Sequence, residues 1–169
     1  MLGRPDRSKR YEIGIKALSI IINKLPGTKL YILSKIKSNY IKELKQLANN
    51  LNISNNIIFN DLTNEIEKYY LNTSIFLLTS KYEGAPMVLF EAKLYGIPNI
   101  ITGLEYLNIA SNGTLICDKI NDINCVANYI LKILMDEKFK YEQSKLSFNS
   151  LKYLIPDKYK LRNILEYNL

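Results

Sequence analysis

The sequence predicts an α/β protein: a doubly wound, Rossmann-like parallel sheet with helices on both faces. Three observations predict it. Short β-favouring runs recur between longer segments with helical spacing. The runs are almost continuously apolar, as strands covered on both faces require. The chain of 169 residues is the size of one domain, large enough to bury its own core.

The elements follow in order. Residues 8–25 set Tyr11, Ile15, Leu18, Ile22 and Leu25 at helical spacing and stop at Pro26-Gly27. Residues 28–33 read as a strand. Residues 39–51 form an amphipathic helix with Ile41, Leu44, Leu47, Ala48 and Leu51 inward. A strand over 56–59, a short helix over 65–71 and a buried strand over 75–79 come next. Pro86 opens a helix that Gly96 ends. Strands over 99–102 and 113–117 precede a helix capped by Asp122 and running to about Met135, with Val126, Tyr129, Ile130, Ile133 and Leu134 on its apolar side. Two more helices are expected near 137–150 and 157–168. Only Met1 and Leu2 precede the first helix, so the strand expected to feed it, usually central in such a sheet, is largely truncated. A chain starting here reads as cut from something longer.

Composition narrows the function classes. Hydrophobic residues at 47% and charged ones at 23% are ordinary for a globular domain. Residues 1–12 are too polar for a signal peptide and no apolar run has the length of a membrane span, so a cytoplasmic location is expected. Cys117 and Cys125 stand eight positions apart in a chain without histidine, which suits neither a zinc site nor a disulfide scaffold; buried thiols in a reducing compartment are expected. No metal site is expected. The net charge of +7 would attract phosphorylated ligands, anionic membrane or nucleic acid. The acidic residues are scattered through every segment, however, and a nucleic-acid partner is not expected.

The stretch 80–96, SKYEGAPMVLFEAKLYG, carries the chemistry. Glu91 shares a helical face with Met87, Val88, Leu94 and Tyr95, all apolar or aromatic, and the helix is hydrophobic nearly all round, as a buried helix is. A carboxylate there needs hydrogen-bond donors, and the hydroxyls of a sugar suit it. Glu83 waits in the preceding turn. Glu91 lies five residues past Pro86, about 7.5 Å along the axis, so the two acids suit separate ends of one extended ligand. Pro86 at the first helical position leaves the N–H groups of Met87 and Val88 to face an anion. Hydroxyl acceptor, anion site and second acceptor match sugar, phosphates and ribose. A polar residue on a surface helix beside an ordinary loop glutamate remains the plain alternative.

Residues 3–10, GRPDRSKR, lie between a strand end and the first helix, where open α/β sheets bind ligands. Arginine forks phosphate oxygens and lysine adds a compact charge. Gly3 lets the backbone pass close to a ligand, and Gly14 permits close helix–sheet approach. Neither a P-loop nor a dinucleotide fingerprint is present. Arg7 and Arg10 read as solvated charges.

GRPDRSKRYEIGIKA followed by KYEGAPMVLFEAKLYGIPNI resembles the C-terminal, donor-binding half of family 4 (group 1) retaining glycosyltransferases of the GT-B fold, nearest to capsular and surface polysaccharide transferases. The likeness covers essentially the whole chain, which is expected to be a single nucleotide-sugar-binding domain over 1–169. It implies that Arg4 and Lys9 bind the donor diphosphate, that Glu83 contacts hydroxyls of the transferred sugar, and that Glu91 binds the ribose. Arg4, Lys9 and Glu83 would be the catalytic group. Gly84, Ala85, Pro86 and Met87 would line the sugar and phosphate site, and residues 59–62, with Phe59 and Leu62, would frame the base. The donor implied is a nucleoside-diphosphate sugar, UDP-linked rather than GDP-linked, with no cofactor or bound metal. The acceptor is a glycan or a lipid-linked, membrane-associated glycan. The N-terminal acceptor domain is absent from the chain, so the isolated chain is expected to be inactive alone. The loop 103–106 is shorter than the family's glycine-rich loop, and the helix over 157–168, with Leu161, Ile164 and Leu165, would cross back towards the acceptor domain. Two readings from other classes stay open: a non-catalytic doubly wound regulatory or assembly module, and an anionic-surface or nucleic-acid binder.

Overall fold

The structure, a computed structural model, describes residues 1–103, 113–119 and 121–151. The expected loop beyond Gly103, the Asn112 turn and the helix over 157–168 lie outside the described residues. Element order alternates as expected: α1 (Tyr11–Ile21), β1 (Leu30–Leu33), α2 (Asn39–Asn50), β2 (Ile57–Asn60), α3 (Ile66–Leu71), β3 (Phe76–Leu78), α4 (Met87–Leu94), β4 (Asn99–Thr102), β5 (Thr114–Cys117), α5 (Ile123–Met135) and α6 (Glu137–Asn149). Local chemistry sets several of the ends. The Ser38, Asp122 and Asp136 side chains accept from backbone N–H groups in the first turns of α2, α5 and α6. Gly96, at φ 63°, closes α4 in a conformation that costs glycine little.

Every strand pairing is parallel. β1 pairs with β2, while β4 lies between β3 and β5. Alternate strand residues face opposite layers. Ile32, Leu77 and Ile100 point into a core shared with α1, α2 and α5. Phe76, Leu78 and Ile101 point the other way, against Leu89 and Ala92 of α4 and Tyr70 of α3. Helices on both faces of parallel strands make the doubly wound fold.

One feature departs from a single continuous sheet. Leu2 forms an isolated parallel bridge with Leu33, and among the described residues no ladder joins β1 to β3. Met1 and Leu2 lie beside β1, with their side chains in use. Met1 belongs to the core, and a Cβ at Gly14 would fall 2.6 Å from the Met1 sulfur and 3.5 Å from Leu77 Cδ1. Gly14 is therefore the close-approach residue that the sequence suggests.

The expected free thiols are not found. Cys117 and Cys125 are disulfide-bonded, with Cα atoms 5.9 Å apart. Cys117 ends β5 and Cys125 lies in the first turn of α5, so the short return from strand to helix sets them face to face. Spacing in sequence gives no view of that return.

Candidate functional site

The candidate site is built at the carboxyl ends of β1 and β3, where open α/β sheets hold ligands. Two loops meet there: residues 3–10 and the β3–α4 turn, residues 79–86. They are stitched together by the Lys81 N–H, which donates to the Ser8 carbonyl at 2.6 Å. The Thr79 hydroxyl lies 2.8 Å from the Lys9 carbonyl and 3.0 Å from that of Arg10. Gly3, at φ 153°, sits where a side chain would press on the Tyr11 hydroxyl and the Lys9 stem. Asp6 accepts from the Ser8 amide at 2.7 Å, tightening the turn, and Ser8 holds the Asp6 carboxyl below its usual range.

This stitching places Lys9 against Glu83. Their ion pair is 2.7 Å long, with side chains only 16% and 10% exposed. Two residues expected on different parts of a donor are thus in direct contact across 74 positions of sequence. Arg4 is exposed on the same loop. Its carbonyl faces the Tyr11 hydroxyl at 3.4 Å, and burial pushes that phenol's pKa up, with Glu83 adding to the rise.

Glu91 answers a different set of neighbours. It is half-buried, and the Tyr70 hydroxyl donates to its Oε2 at 2.7 Å. Burial first, then Glu91 itself, raises the Tyr70 phenol. The Tyr70 ring stacks on Tyr95 with centroids 5.2 Å apart. Glu91 belongs to the same helix whose start Glu83 precedes, but the structure does not set it against Lys9. Glu83 lies in the turn before α4 and Glu91 within the helix, each with its own partner.

Several expectations need correction. Pro86 caps α4 rather than opening it, and the Met87 N–H bonds the Ala85 carbonyl at 2.9 Å, so it is not available to an anion. The helix is not buried all round. Met87 is 60% exposed, and Lys93 rather than an apolar residue fills part of the buried face. Burial lowers the Lys93 pKa to about 8. Arg10 is buried, in the left-handed conformation at φ 51°, with its guanidinium on Asn121, so it is no solvated charge. Arg7 is one: it is exposed and paired with exposed Glu43. Of the residues expected to frame the base, Leu62 is exposed, while Phe59 packs partly into the core with the Lys45 ammonium 5.6 Å from its ring centre. Its neighbour Asn60 instead reaches the α3 side of the site, donating to the Tyr69 hydroxyl at 2.8 Å. Gly84 and Ala85 are exposed in the turn, and Pro86 is buried beneath it.

Tyr70 and Arg10 are the residues that sequence reasoning missed. The short helix was legible, but nothing local says which of the adjacent Tyr69 and Tyr70 turns towards Glu91. Asn121, the partner of Arg10, is 111 positions away.

Comparison with known proteins converges on one family. Residues 1–149 match the family described as glycosyl transferases group 1. An uncharacterized glycosyltransferase of Haemophilus influenzae is 26% identical over 162 residues, covering 94% of this chain and 44% of that protein. The amylovoran biosynthesis glycosyltransferase AmsD of Erwinia amylovora is 33% identical over 72 residues, 43% of this chain and 17% of that one. Among solved structures, Anabaena HepE in complex with UDP superposes with a TM-score of 0.80 at 18% identity, over 99% of this chain and 45% of that chain. The chain thus spans less than half the length of these proteins, and the last likeness speaks for the GT-B fold alone. This chain belongs to the group 1 glycosyl transferases.

Proposed function

We propose that this chain is the donor-binding domain of a retaining glycosyltransferase that moves a sugar from a UDP-sugar to a glycan or lipid-linked acceptor of surface polysaccharide synthesis. The observation that carries the reading is the arrangement along α4. A shielded cation–acid pair, Lys9–Glu83, sits at its amino end, and a half-buried acid, Glu91, lies farther along. In this reading Arg4 and Lys9 take the diphosphate, Glu83 the sugar hydroxyls and Glu91 the ribose hydroxyls. Glu91 is suited to that task, because Tyr70 fixes one of its oxygens and a carboxylate has further acceptor sites to offer. The UDP found with HepE supports the donor class, and the amylovoran biosynthesis named for AmsD supports a role in biosynthesis.

The chemistry follows from charge. The bond between the sugar's anomeric carbon and the leaving phosphate oxygen breaks as the acceptor oxygen attacks from the same face. That oxygen's proton passes to the leaving diphosphate. Negative charge grows on the diphosphate, and cations already in place at Arg4 and Lys9 stabilise it without reorganising in the step.

The test is a thermal-shift panel of UDP, GDP and ADP. At about 100 times Kd a ligand adds about 2.7 kcal/mol, a rise of roughly 5–10 °C for a domain of this size. UDP is expected to give that rise and the Glu91→Ala variant to lose it. No shift with any of the three at millimolar concentration would refute the reading.

A further inference from the structure

A cavity of about 380 Å³ lies at the amino ends of β3 and β4, the opposite ends from the loops that carry Lys9 and Glu83. One wall is made of the loops leading into β3 and β4, together with Tyr70 and Tyr95, whose rings stack at 5.2 Å. The other wall is one face of α6. Lys140, Tyr141, Ser144, Lys145 and Phe148 recur there at the spacing of successive helical turns.

The loop wall offers side chains rather than backbone. The N–H groups of Asn72, Thr73, Gly96 and Ile97 already donate to the carbonyls of Tyr69, Tyr70, Lys93 and Ala92, and Pro98 has no N–H. An extended peptide therefore finds no row of strand-pairing donors. Polar side chains are what remain. Those of Ser74, Ser144 and Asn149 make no hydrogen bond among the described residues. The Asn72 amide nitrogen donates to the Lys68 carbonyl at 2.8 Å, which leaves its oxygen to accept. Hydroxyls and amides both donate and accept, so they suit a ligand whose own groups do both.

Two further features narrow the class. Tyr95, Tyr141 and Phe148 supply aromatic surface, and Tyr141 stands 48% exposed. A sugar ring packs its C–H face on such surface and turns its rim of hydroxyls to the polar groups, and the cavity has room for roughly one or two such rings. The charge has one sign. Lys140 and Lys145 line the cavity, and among the described residues no Asp or Glu does. Lys140 has the well-exposed Glu137 at 3.7 Å, whereas Lys145 is exposed and has no ion pair among the described residues.

We propose that this cavity binds an acidic saccharide, with sugar rings against Tyr141 and Phe148 and a carboxylate at Lys145. The Tyr70 hydroxyl is held by Glu91 and its ring by Tyr95, so one wall is in place before the ligand arrives and little ordering is paid for on binding. The inference does not rest on the donor reading, because it uses neither Lys9, Glu83 nor the acid of Glu91.

The test titrates the chain, with UDP absent, with a trisaccharide of galacturonic acid, with the neutral trisaccharide maltotriose and with inorganic phosphate, following backbone amide shifts by NMR. The acidic trisaccharide is expected to bind with a Kd on the order of 0.1–1 mM and maltotriose roughly 3- to 10-fold more weakly. Shifts should centre on residues 72–74 and 144–149. Tyr141→Ala should weaken both sugars roughly 3- to 10-fold. Lys145→Ala should weaken only the acidic one, by roughly 2- to 5-fold. Lys138→Ala, on an exposed α6 position outside the cavity, should change neither. No binding of the acidic trisaccharide at about 5 mM, or shifts confined to other residues, would overturn the proposal. So would phosphate binding as tightly as the sugar, or equal losses from Lys145→Ala and Lys138→Ala.

Discussion

Glu83 and Glu91 lie eight positions apart on either side of one helix start, yet the chain treats them differently. Glu83 is held by a cation, Lys9, in a shielded ion pair. Glu91 is held by a neutral phenol, Tyr70, whose ring is itself fixed by stacking. A cation cancels an acid's charge; a phenol only orients it. The loop pair is therefore a charge-balanced unit, whereas the partner of Glu91 is neutral and a carboxylate has further acceptor sites beyond it. The difference implies that the two ends of the site fail in different ways when changed.

The largest effect is expected at the cation. Lys9→Ala takes away the counter-charge of a Glu83 that is 10% exposed, and loss of a partner from such a pair costs on the order of 1–3 kcal/mol. The same change removes a proposed phosphate ligand. Urea unfolding should show the stability loss, and the UDP thermal shift should vanish with it. The double variant Lys9→Ala with Glu83→Gln separates the two roles. It is expected to recover much of the stability and none of the UDP response. Recovery of both would show that Lys9 serves the fold alone.

A smaller effect is expected at the phenol. Tyr70→Phe keeps the stack on Tyr95 and removes only the hydrogen bond to Glu91. A hydrogen bond to a charged group contributes about 1.5–3 kcal/mol when intact, of which water at a half-buried acid returns a part. UDP affinity measured by calorimetry should fall roughly 3- to 30-fold, while UMP and UDP should be weakened alike, because the lost orientation is at the ribose end. In Lys9→Ala the loss should be greater for UDP than for UMP. If both variants showed the same UDP-to-UMP ratio, the division of labour along α4 would be wrong.

How much of this was legible in the sequence depends on the range of the interaction. α2, α4, β4 and α5 were readable from local patterns: Asp122 as a cap, Gly96 as a stop, and period-3.6 or continuous apolar runs. Placing one acid in the turn before α4 and the other within the helix was readable too, from the positions of Pro86 and Gly96. The partners were not. Lys9 finds Glu83, Tyr70 finds Glu91 and Arg10 finds Asn121 through topology, across 74, 21 and 111 positions. The surroundings of α4 were misread for a related reason. Its apolar composition suggested burial on every side, but Met87 at its first position is exposed while Lys93 is buried. The Cys117–Cys125 bond was missed because a strand-to-helix return can bring residues eight apart into contact or keep them apart, and composition cannot choose.

The smallest effect is expected where geometry alone would suggest an equal one. Arg7 lies two positions before Lys9 and makes an ion pair of the same length, 2.7 Å, with Glu43. Here the side chains are 76% and 50% exposed rather than 16% and 10%. Water screens the charges, and two long side chains lose freedom in holding one another, so such pairs contribute about 0–1 kcal/mol. The Arg7 guanidinium also stands 5.9 Å from the ring centre of Tyr40, a buried residue, but the guanidinium itself remains exposed. Arg7→Ala is therefore expected to shift stability by no more than about 0.5 kcal/mol and to leave the UDP response unchanged. Raising the salt to about 1 M should erase even that shift. If Arg7→Ala weakened UDP binding as much as Lys9→Ala, the loop would be acting as a general positive field, and the placement of the diphosphate on Lys9 would have to be given up.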